Sequence, residues 1–388
     1  MRIAHIIHSA NPAGGGPIEG VRQLGSVTTR LASKVEVVCL DAPDAPWIRD
    51  FPLPIHAMGP SYFGYGYSPK LIPWLRAHAE DFDVFVVNGI WQFNSLATWQ
   101  VLRKIGKPYC VFTHGMLDPW FKKRYPLKHL KKWLYWPWAE YRVLRDAASV
   151  LFTCEEERIQ ARKSFWLYRC NEKVVSYGIA GPTGDEAAQR QLVPGQFPEL
   201  RGKRIFLFLG RIQEKKGCDL LIRAFAKTAA SDDSIRLVFA GPDQTGWVAE
   251  LCALADSLGI ADRIVWTGMV TGDLKWGMLH AAEVFILPSH QENFGIAVAE
   301  ALACGTPVLI SNKVNIWREI EQDRAGFVEE DDESGTVRLL QKWLGLPAQE
   351  QEAMRANAKR SFHSRFEVEQ AGQALMRVLR DAVGKPVS

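Results

Sequence analysis

At 388 residues and 47% hydrophobic, the chain exceeds the roughly 250 to 300 residues at which a single core stops growing, so two domains are expected. Its net charge is only +4, no stretch approaches the roughly 18 to 20 uninterrupted apolar residues of a membrane-spanning helix, and the apolar run in MRIAHIIHS is too short for a signal-peptide core. Seven scattered cysteines, odd in number and never spaced as C-x-x-C, argue against a disulfide framework or a zinc knuckle and for reduced thiols in the cytoplasm.

In chain order, IAHIIHS, the glycine-rich NPAGGGPIEGVRQLGSVTTRLAS and KVEVVCLD read as strand, loop, helix and strand, a βαβ unit. The loop carries Gly14, Gly15, Gly16 and Pro17 but lacks the Gly-x-Gly-x-x-Gly spacing, so it is not a dinucleotide fingerprint. DVFVVNG, SLATWQVLRKIG, PYCVFTHG and SVLFTC continue the alternation, which implies a parallel sheet flanked by helices. His114 closes one of these strands in VFTHGMLD. Taken alone, such a histidine is more often structural than catalytic, and His8 and His290, also near strand ends, rank lower.

Residues 120–145, WFKKRYPLKHLKKWLYWPWAEYRVLR, hold eight Lys or Arg against one Glu, so the positive charge is concentrated here. Trp120 and Trp133 are interleaved with Lys122, Lys123, Arg124, Lys131 and Lys132, while Leu127, Leu130, Leu134, Trp138 and Tyr141 fall near helical spacing. Such a segment suits an anionic lipid interface or the acceptor side of an enzyme. It also suits nucleic acid, and a core helix with a solvated basic face is the plain alternative.

From 181 to 203 the text turns rich in Gly and Pro and reads as a linker. It separates a first domain, 1–180, from a second, 204–364, in which RIFLFLGR, IRLVFAG, RIVWTG, VFILPS and PVLIS restart the strand-and-helix rhythm. The segment SRFEVEQAGQALMRVLRDAV reads as a terminal helix. The fold class is α/β, two doubly wound parallel-sheet domains of Rossmann type, with a cleft expected between them.

VFILPS is continuously apolar, as a buried parallel strand should be, and GIAVAEALAC is helix-forming up to Gly305 and Pro307. SHQENF is therefore the loop at a strand's carboxyl end, where open α/β sheets bind ligands and the next helix offers free N–H groups to an anion. Glu292 lies in that loop and Glu300 seven residues on, within the helix. Random Glu pairs are usually solvated, but Glu300 sits among Ala297, Val298, Ala299, Ala301 and Leu302, where an unpaired carboxylate would be costly, so it needs a partner such as a ribose hydroxyl.

ENFGIAVAEALACGTPVLIS, with its two glutamates seven residues apart, resembles the donor-binding signature of the retaining glycosyltransferases of family 4. FLGRIQEKKGCDLLIRAF, LVFAGPD and IVWTGMV resemble further elements of that family, and the likeness extends more weakly over the N-terminal half. It implies the GT-B architecture, two facing Rossmann-like domains, with the C-terminal helix of about 365–388 crossing back onto the first. Carried over residue by residue, the resemblance makes Arg211 and Lys216, beside Gly210, the clamp on the donor diphosphate. Charge building on that leaving group must be neutralised, and a preorganised cationic pair does so. Glu292 would meet the transferred sugar's hydroxyls and Glu300 the ribose. The main chain at Asn293, Phe294, Gly295 and Ile296 would face sugar and phosphate, and that of Gly268, Met269 and Val270 the base. Gly15 and Gly16 would close over the phosphates, and His114 would lie beside the anomeric centre. Where many relatives carry a strand-end histidine, this chain has Asn88.

The expectation is a retaining, metal-independent transferase that moves a sugar from a nucleotide sugar to a hydroxyl of a glycan or polyprenyl-linked acceptor, in bacterial-type polysaccharide or glycolipid biosynthesis. It would act in the cytoplasm, peripherally at the inner face of the cell membrane. No cofactor and no metal site are expected, because the donor loops lack an Asp-x-Asp motif. The alternatives are a nucleotide-sugar 2-epimerase of the same fold and a non-catalytic nucleic-acid-binding protein using residues 120–145.

Overall fold

The computed structural model describes residues 1–32, 34–229 and 232–384, and every side chain among them except that of Lys123. The chain divides into two compact units, one formed by Met1–Ile179 with the chain from Glu367 onward, the other by Ala180–Phe366.

The first unit is built on a seven-stranded sheet in the order β3-β2-β1-β4-β5-β6-β7. Its strands are β1 (Arg2–Ile7), β2 (Lys34–Cys39), β3 (Ile55–Ala57), β4 (Val84–Asn88), β5 (Tyr109–Phe112), β6 (Ser149–Phe152) and β7 (Glu172–Val174). All pairings are parallel. Every residue of β4, VFVVN, is buried, as a strand covered on both faces requires. One face packs Ile18, Val21 and Leu24 of the helix Gly16–Leu31 with Leu375 and Leu379 of the terminal helix Val368–Val383. The other packs Leu71 and Leu75 with Ala97 and Leu102 of the helix Phe93–Ile105. Strand order reverses between β1 and β4, which creates a switch point at their carboxyl ends.

The second unit carries a six-stranded parallel sheet in the order β10-β9-β8-β11-β12-β13. Its strands are β8 (Arg204–Leu209), β9 (Ile235–Ala240), β10 (Ile264–Gly268), β11 (Ala282–Leu287), β12 (Val308–Ser311) and β13 (Gly326–Glu329). The reversal here falls between β8 and β11.

The segment expected to be a linker, 181–203, is corrected by this unit. It contains a helix, Glu186–Gln196, and a short turn, Pro198–Leu200. Asp185 caps the helix by accepting from the Ala188 amide at 2.7 Å, and Gln189 donates to Asp273 at 2.9 Å. Gln189 and Val193 alone are buried, so the helix has too small an apolar stripe to register as periodic sequence. Among the described residues no helix is long and apolar enough to cross a membrane.

Candidate active site

In the second unit, the chain leaving β8 forms Gly210–Arg211 and the turn Glu214–Lys216, and the chain leaving β11 forms the loop from Pro288 to Gly295. Both loops therefore stand at the carboxyl edge, on either side of the order reversal. Gly217 lets them touch: it has φ +69, and a Cβ there would lie 2.3 Å from the Pro288 carbonyl oxygen. Hydrogen bonds tie them further. The His290 amide donates to the Lys215 carbonyl at 2.8 Å, and the Ser289 hydroxyl donates to the same oxygen at 2.9 Å.

Glu292 is pinned through its backbone, its N–H donating to Lys313 O at 2.9 Å and its own carbonyl accepting from the Asn315 amide at 3.0 Å. Its carboxylate makes an ion pair with Lys216. Burial pushes the Glu292 carboxyl up, but Lys216, followed by Lys215 and Arg211, outweighs it and holds the group below the usual carboxylate range. Lys216 is itself buried. Arg211 is exposed and makes no ion pair among the described residues, so it keeps an uncompensated positive charge beside this pair.

Gly295, in the left-handed region at φ 78, opens the helix Ile296–Ala303. A helix's first N–H groups have no intrahelical acceptor, and here Val298 and Ala299 fold back on the Gly295 carbonyl at 2.9 and 3.2 Å. Glu300 lies in the second turn with its side chain 12% exposed, and Lys275 pairs with it at 2.7 Å. The partner that a carboxylate among alanines demands is thus a lysine 25 residues earlier, which the sequence did not suggest. Gly268 ends β10, and Met269, exposed, and Val270, buried, follow it on the same edge.

The carboxyl edge of the first unit is built around a histidine instead of a lysine and arginine cluster. His114 follows β5 in a left-handed conformation, φ 50. Its Nε2 faces Asn88 Oδ1 at 3.3 Å, and its Nδ1 meets the Tyr177 hydroxyl. The Asn88 amide nitrogen donates to the Val86 carbonyl at 3.1 Å, so Asn88 Oδ1 accepts from Nε2–H, and Nδ1 accepts from Tyr177. Glu157 fixes the backbone around it, accepting from the Gly115 amide at 2.6 Å and the Thr113 hydroxyl at 2.7 Å. Burial, with His5 adding to it, takes the His114 imidazole down to about 3. The ring is neutral near pH 7. Tyr177 fits only because position 20 is glycine, where a Cβ would lie 2.2 Å from the Tyr177 ring. Gly15 and Gly16 begin the helix after β1, as a loop-to-helix turn should.

Glu140, fully buried, accepts from the Trp91 amide at 2.8 Å and the Ser95 hydroxyl at 2.9 Å. Its second oxygen has no partner, and burial raises the group to about 7 despite those bonds and the nearby Lys132. Trp91 has φ +74, so Glu140 holds a strained turn just beyond β4.

The basic segment forms helices Trp120–Arg124 and Pro126–Tyr135. The second buries no residue. Its polar side turns inward: His129 stacks on Phe165 at 4.9 Å, Lys132 lies 4.6 Å over the Trp91 ring, and Tyr135 meets the Tyr65 hydroxyl. Leu127, Leu130 and Leu134 point outward, with Leu127 82% exposed, and Trp133 packs beside the exposed Trp166 at 6.2 Å. Lys122, Arg124 and Lys131 are exposed and Trp120 is half-buried. Lys132, expected on the membrane or acceptor side, is half-buried with its ammonium over the Trp91 ring. The Lys123 side chain lies outside the described residues.

Residues 190–361 match the family described as glycosyl transferases group 1, and residues 15–178 match the glycosyl transferase 4-like domain. The chain belongs to the group 1 glycosyltransferases. Among curated relatives, D-inositol 3-phosphate glycosyltransferase of Salinispora tropica is 30% identical over 211 residues, 52% of this chain and 43% of that protein. An uncharacterized glycosyltransferase of Methanocaldococcus jannaschii is 34% identical over 126 residues, 32% of this chain and 31% of that protein. The chain spans less than half the length of these two relatives. In fold it resembles Anabaena HepE in complex with UDP, with a TM-score of 0.78 at 16% identity over 98% of this chain and 100% of the other. Sucrose-phosphate synthase of Thermosynechococcus elongatus gives 0.75 at 20% identity over 98% of each chain. The fold of this group 1 glycosyltransferase is GT-B.

Within it, Gly210, Arg211, Lys216 and Glu292 to Ile296 gather on the two loops flanking the β8–β11 switch point, and Glu300 stands on the helix behind them. Lys275, Tyr177, Glu157 and Glu140 went unnoticed in the sequence, because each acts on a residue distant along the chain.

Proposed function

We propose that this group 1 glycosyltransferase is a retaining enzyme that transfers a sugar from a nucleoside diphosphate sugar to a hydroxyl of a glycan or polyprenyl-linked glycan acceptor, without a metal. The observation that carries the reading is the cationic site of the second unit, where exposed Arg211 stands beside the Lys216–Glu292 pair. A departing diphosphate would gain the Arg211 charge and share Lys216, while Glu292 is left to accept hydrogen bonds from the sugar's hydroxyls. Amides opening the helix Ile296–Ala303 add dipolar stabilisation for an anion. Glu300 has one oxygen engaged by Lys275 and offers the other to a ribose hydroxyl. Support for the donor class comes from structural neighbours solved with UDP and with UDP-glucose.

Retention would proceed by attack of the acceptor hydroxyl on the face the diphosphate leaves, the departing phosphate oxygen taking the acceptor's proton. No protein nucleophile is assigned. His114, with both ring nitrogens engaged and its imidazole neutral, is suited to hydrogen bonding and shape rather than to proton transfer. The outward leucines and tryptophans of the basic segment favour a peripheral position at the cytoplasmic face of an anionic membrane, from which a lipid-linked acceptor would be presented. Nucleic acid would draw on the lysines but leave the leucines unused.

The test is incubation with UDP-, GDP- and ADP-glucose, without acceptor, following release of nucleoside diphosphate and the configuration of the freed sugar. Slow hydrolysis of one donor with its configuration kept supports the proposal. Conversion of the nucleotide sugar to its 2-epimer would establish the epimerase instead. Binding that ignores every nucleotide sugar and falls steeply with salt would point to nucleic acid.

A further inference from the structure

At the opposite edge of the second unit's sheet lies a cavity of about 680 Å³, where Arg204 opens β8 and Ala282 opens β11. Strand β8 separates it from Gly210 and Arg211, so it is no part of the donor-side loops. Five cationic side chains line it against three carboxylates, and no lining residue is aromatic. Such a wall suits a hydrophilic, negatively charged occupant of small-molecule size.

The pairing pattern shows where charge is left over. Glu283 is consumed by Arg204, whose Nε and Nη2 both donate to it at 2.7 Å, and by the Trp343 indole at 2.9 Å. Glu186 is taken by Arg190 at 2.9 Å, with Lys359 only at 3.9 Å. Arg355 is half-buried, and it donates to the Glu283 main-chain oxygen at 2.8 Å. Lys203 likewise donates to a carbonyl, that of Asp233, at 3.0 Å. Among the described residues neither Arg355 nor Lys203 has a carboxylate within ion-pair reach. Burial lowers the Arg355 guanidinium from its ordinary value, Glu283 and Glu352 oppose this, and Arg190 adds to it. A half-buried cation that no carboxylate contacts directly is held at a cost that an anion bound to it would relieve.

We propose that this cavity is a second binding site that takes a small phosphate-bearing ligand, with Arg355 as its anchor and Lys203 and Lys359 completing the charge. A phosphate dianion offers tetrahedrally arranged acceptors that match a guanidinium fork bidentately, and its charge balances the excess of cations on the wall. The proposal does not rest on the identity of the donor.

Inorganic phosphate is the probe, titrated into the full-length chain against chloride at matched ionic strength, with affinity read by calorimetry and stability by thermal unfolding. Because phosphate also suits the donor clamp, the measurement is made in an Arg211→Ala background. Saturable binding is expected to persist there and to weaken about tenfold or more when Arg355→Gln is added. If Arg355→Gln does not fold, the pair Lys203→Gln and Lys359→Gln, both on the rim, gives the same comparison. Phosphate binding that is unchanged by these substitutions, or no response beyond that to chloride, would overturn the proposal.

Discussion

Glu292 and Glu140 are both carboxylates drawn out of water at the carboxyl edge of a parallel sheet, yet they titrate in opposite directions. Burial pushes each one up. At Glu292 it is outweighed by Lys216, Lys215 and Arg211, while at Glu140 two hydrogen bonds and the nearby Lys132 leave the group at about 7. The second unit's edge is thus prepolarised with cations around one charged acceptor, and the first unit's edge holds uncharged imidazoles, His5 and His114 being taken down to about 4 and about 3. In the proposed reaction a diphosphate would need fixed charge, and a neutral hydroxyl acceptor positioned, uncharged groups.

The largest break in this contrast should come from Lys216→Ala. Transition-state stabilisation of the leaving group falls, so kcat/KM should drop by roughly 10²- to 10³-fold, as loss of one preorganised donor does elsewhere. Steady-state kinetics with whichever of UDP-, GDP- and ADP-glucose the wild-type chain turns over checks it, and a change below threefold would refute the clamp.

A second break is the pH dependence of stability set by Glu140. Its folded value of about 7 lies above the ordinary 4.5, so between these the native state binds more protons than the unfolded chain. Stability from this group therefore falls as pH rises from about 4.5 to 7, by up to ~3 kcal/mol. Glu140→Gln should flatten that slope in denaturant titrations, and an unchanged slope would show that the carboxyl is not buried as described.

His114 works in the other sense. Its folded value, about 3, lies below the ordinary 6.5, so the unfolded chain binds more protons in between and stability falls as pH drops below about 6.5. His114→Asn should lessen the loss on the acid side and leave the slope above pH 7 alone. Opposite slopes from these two buried groups would sharpen the contrast with Glu292.

The smallest effect on stability is expected at the outward leucines. Leu127→Glu with Leu134→Glu should shift unfolding free energy by only about 0.5 kcal/mol each, since both side chains are exposed. The same pair should sharply reduce sedimentation with vesicles containing anionic phospholipid. Equal binding by the double variant would remove the basis for a peripheral membrane position.

Much of the fold was legible because buried parallel strands write themselves as unbroken apolar runs, VFVV and VFILP among them. The donor-side loops were legible because Glu292, Gly295 and Glu300 form one local strand-loop-helix segment. Contacts that join distant residues were not: the Lys275–Glu300 pair, the Tyr177–His114 bond and the Glu140 grip on Trp91 leave no periodicity to read. Spacing gave the helix Pro126–Tyr135 an apolar stripe without its direction. The direction is fixed by His129, Lys132 and Tyr135, which find aromatic partners inside and leave the leucines outside. The helix Glu186–Gln196 was hidden by its Pro194 and by having only Gln189 and Val193 buried.

The proposed donor site requires the second unit to grip a nucleoside diphosphate through Arg211 and Lys216. Calorimetric titration of UDP, with GDP and ADP as alternatives, into the wild-type chain and into Arg211→Ala tests it most directly. Saturable binding of one nucleotide, weakened about tenfold or more by the substitution, is the predicted result. Equal affinity in both proteins, or binding of none of the three, would contradict it.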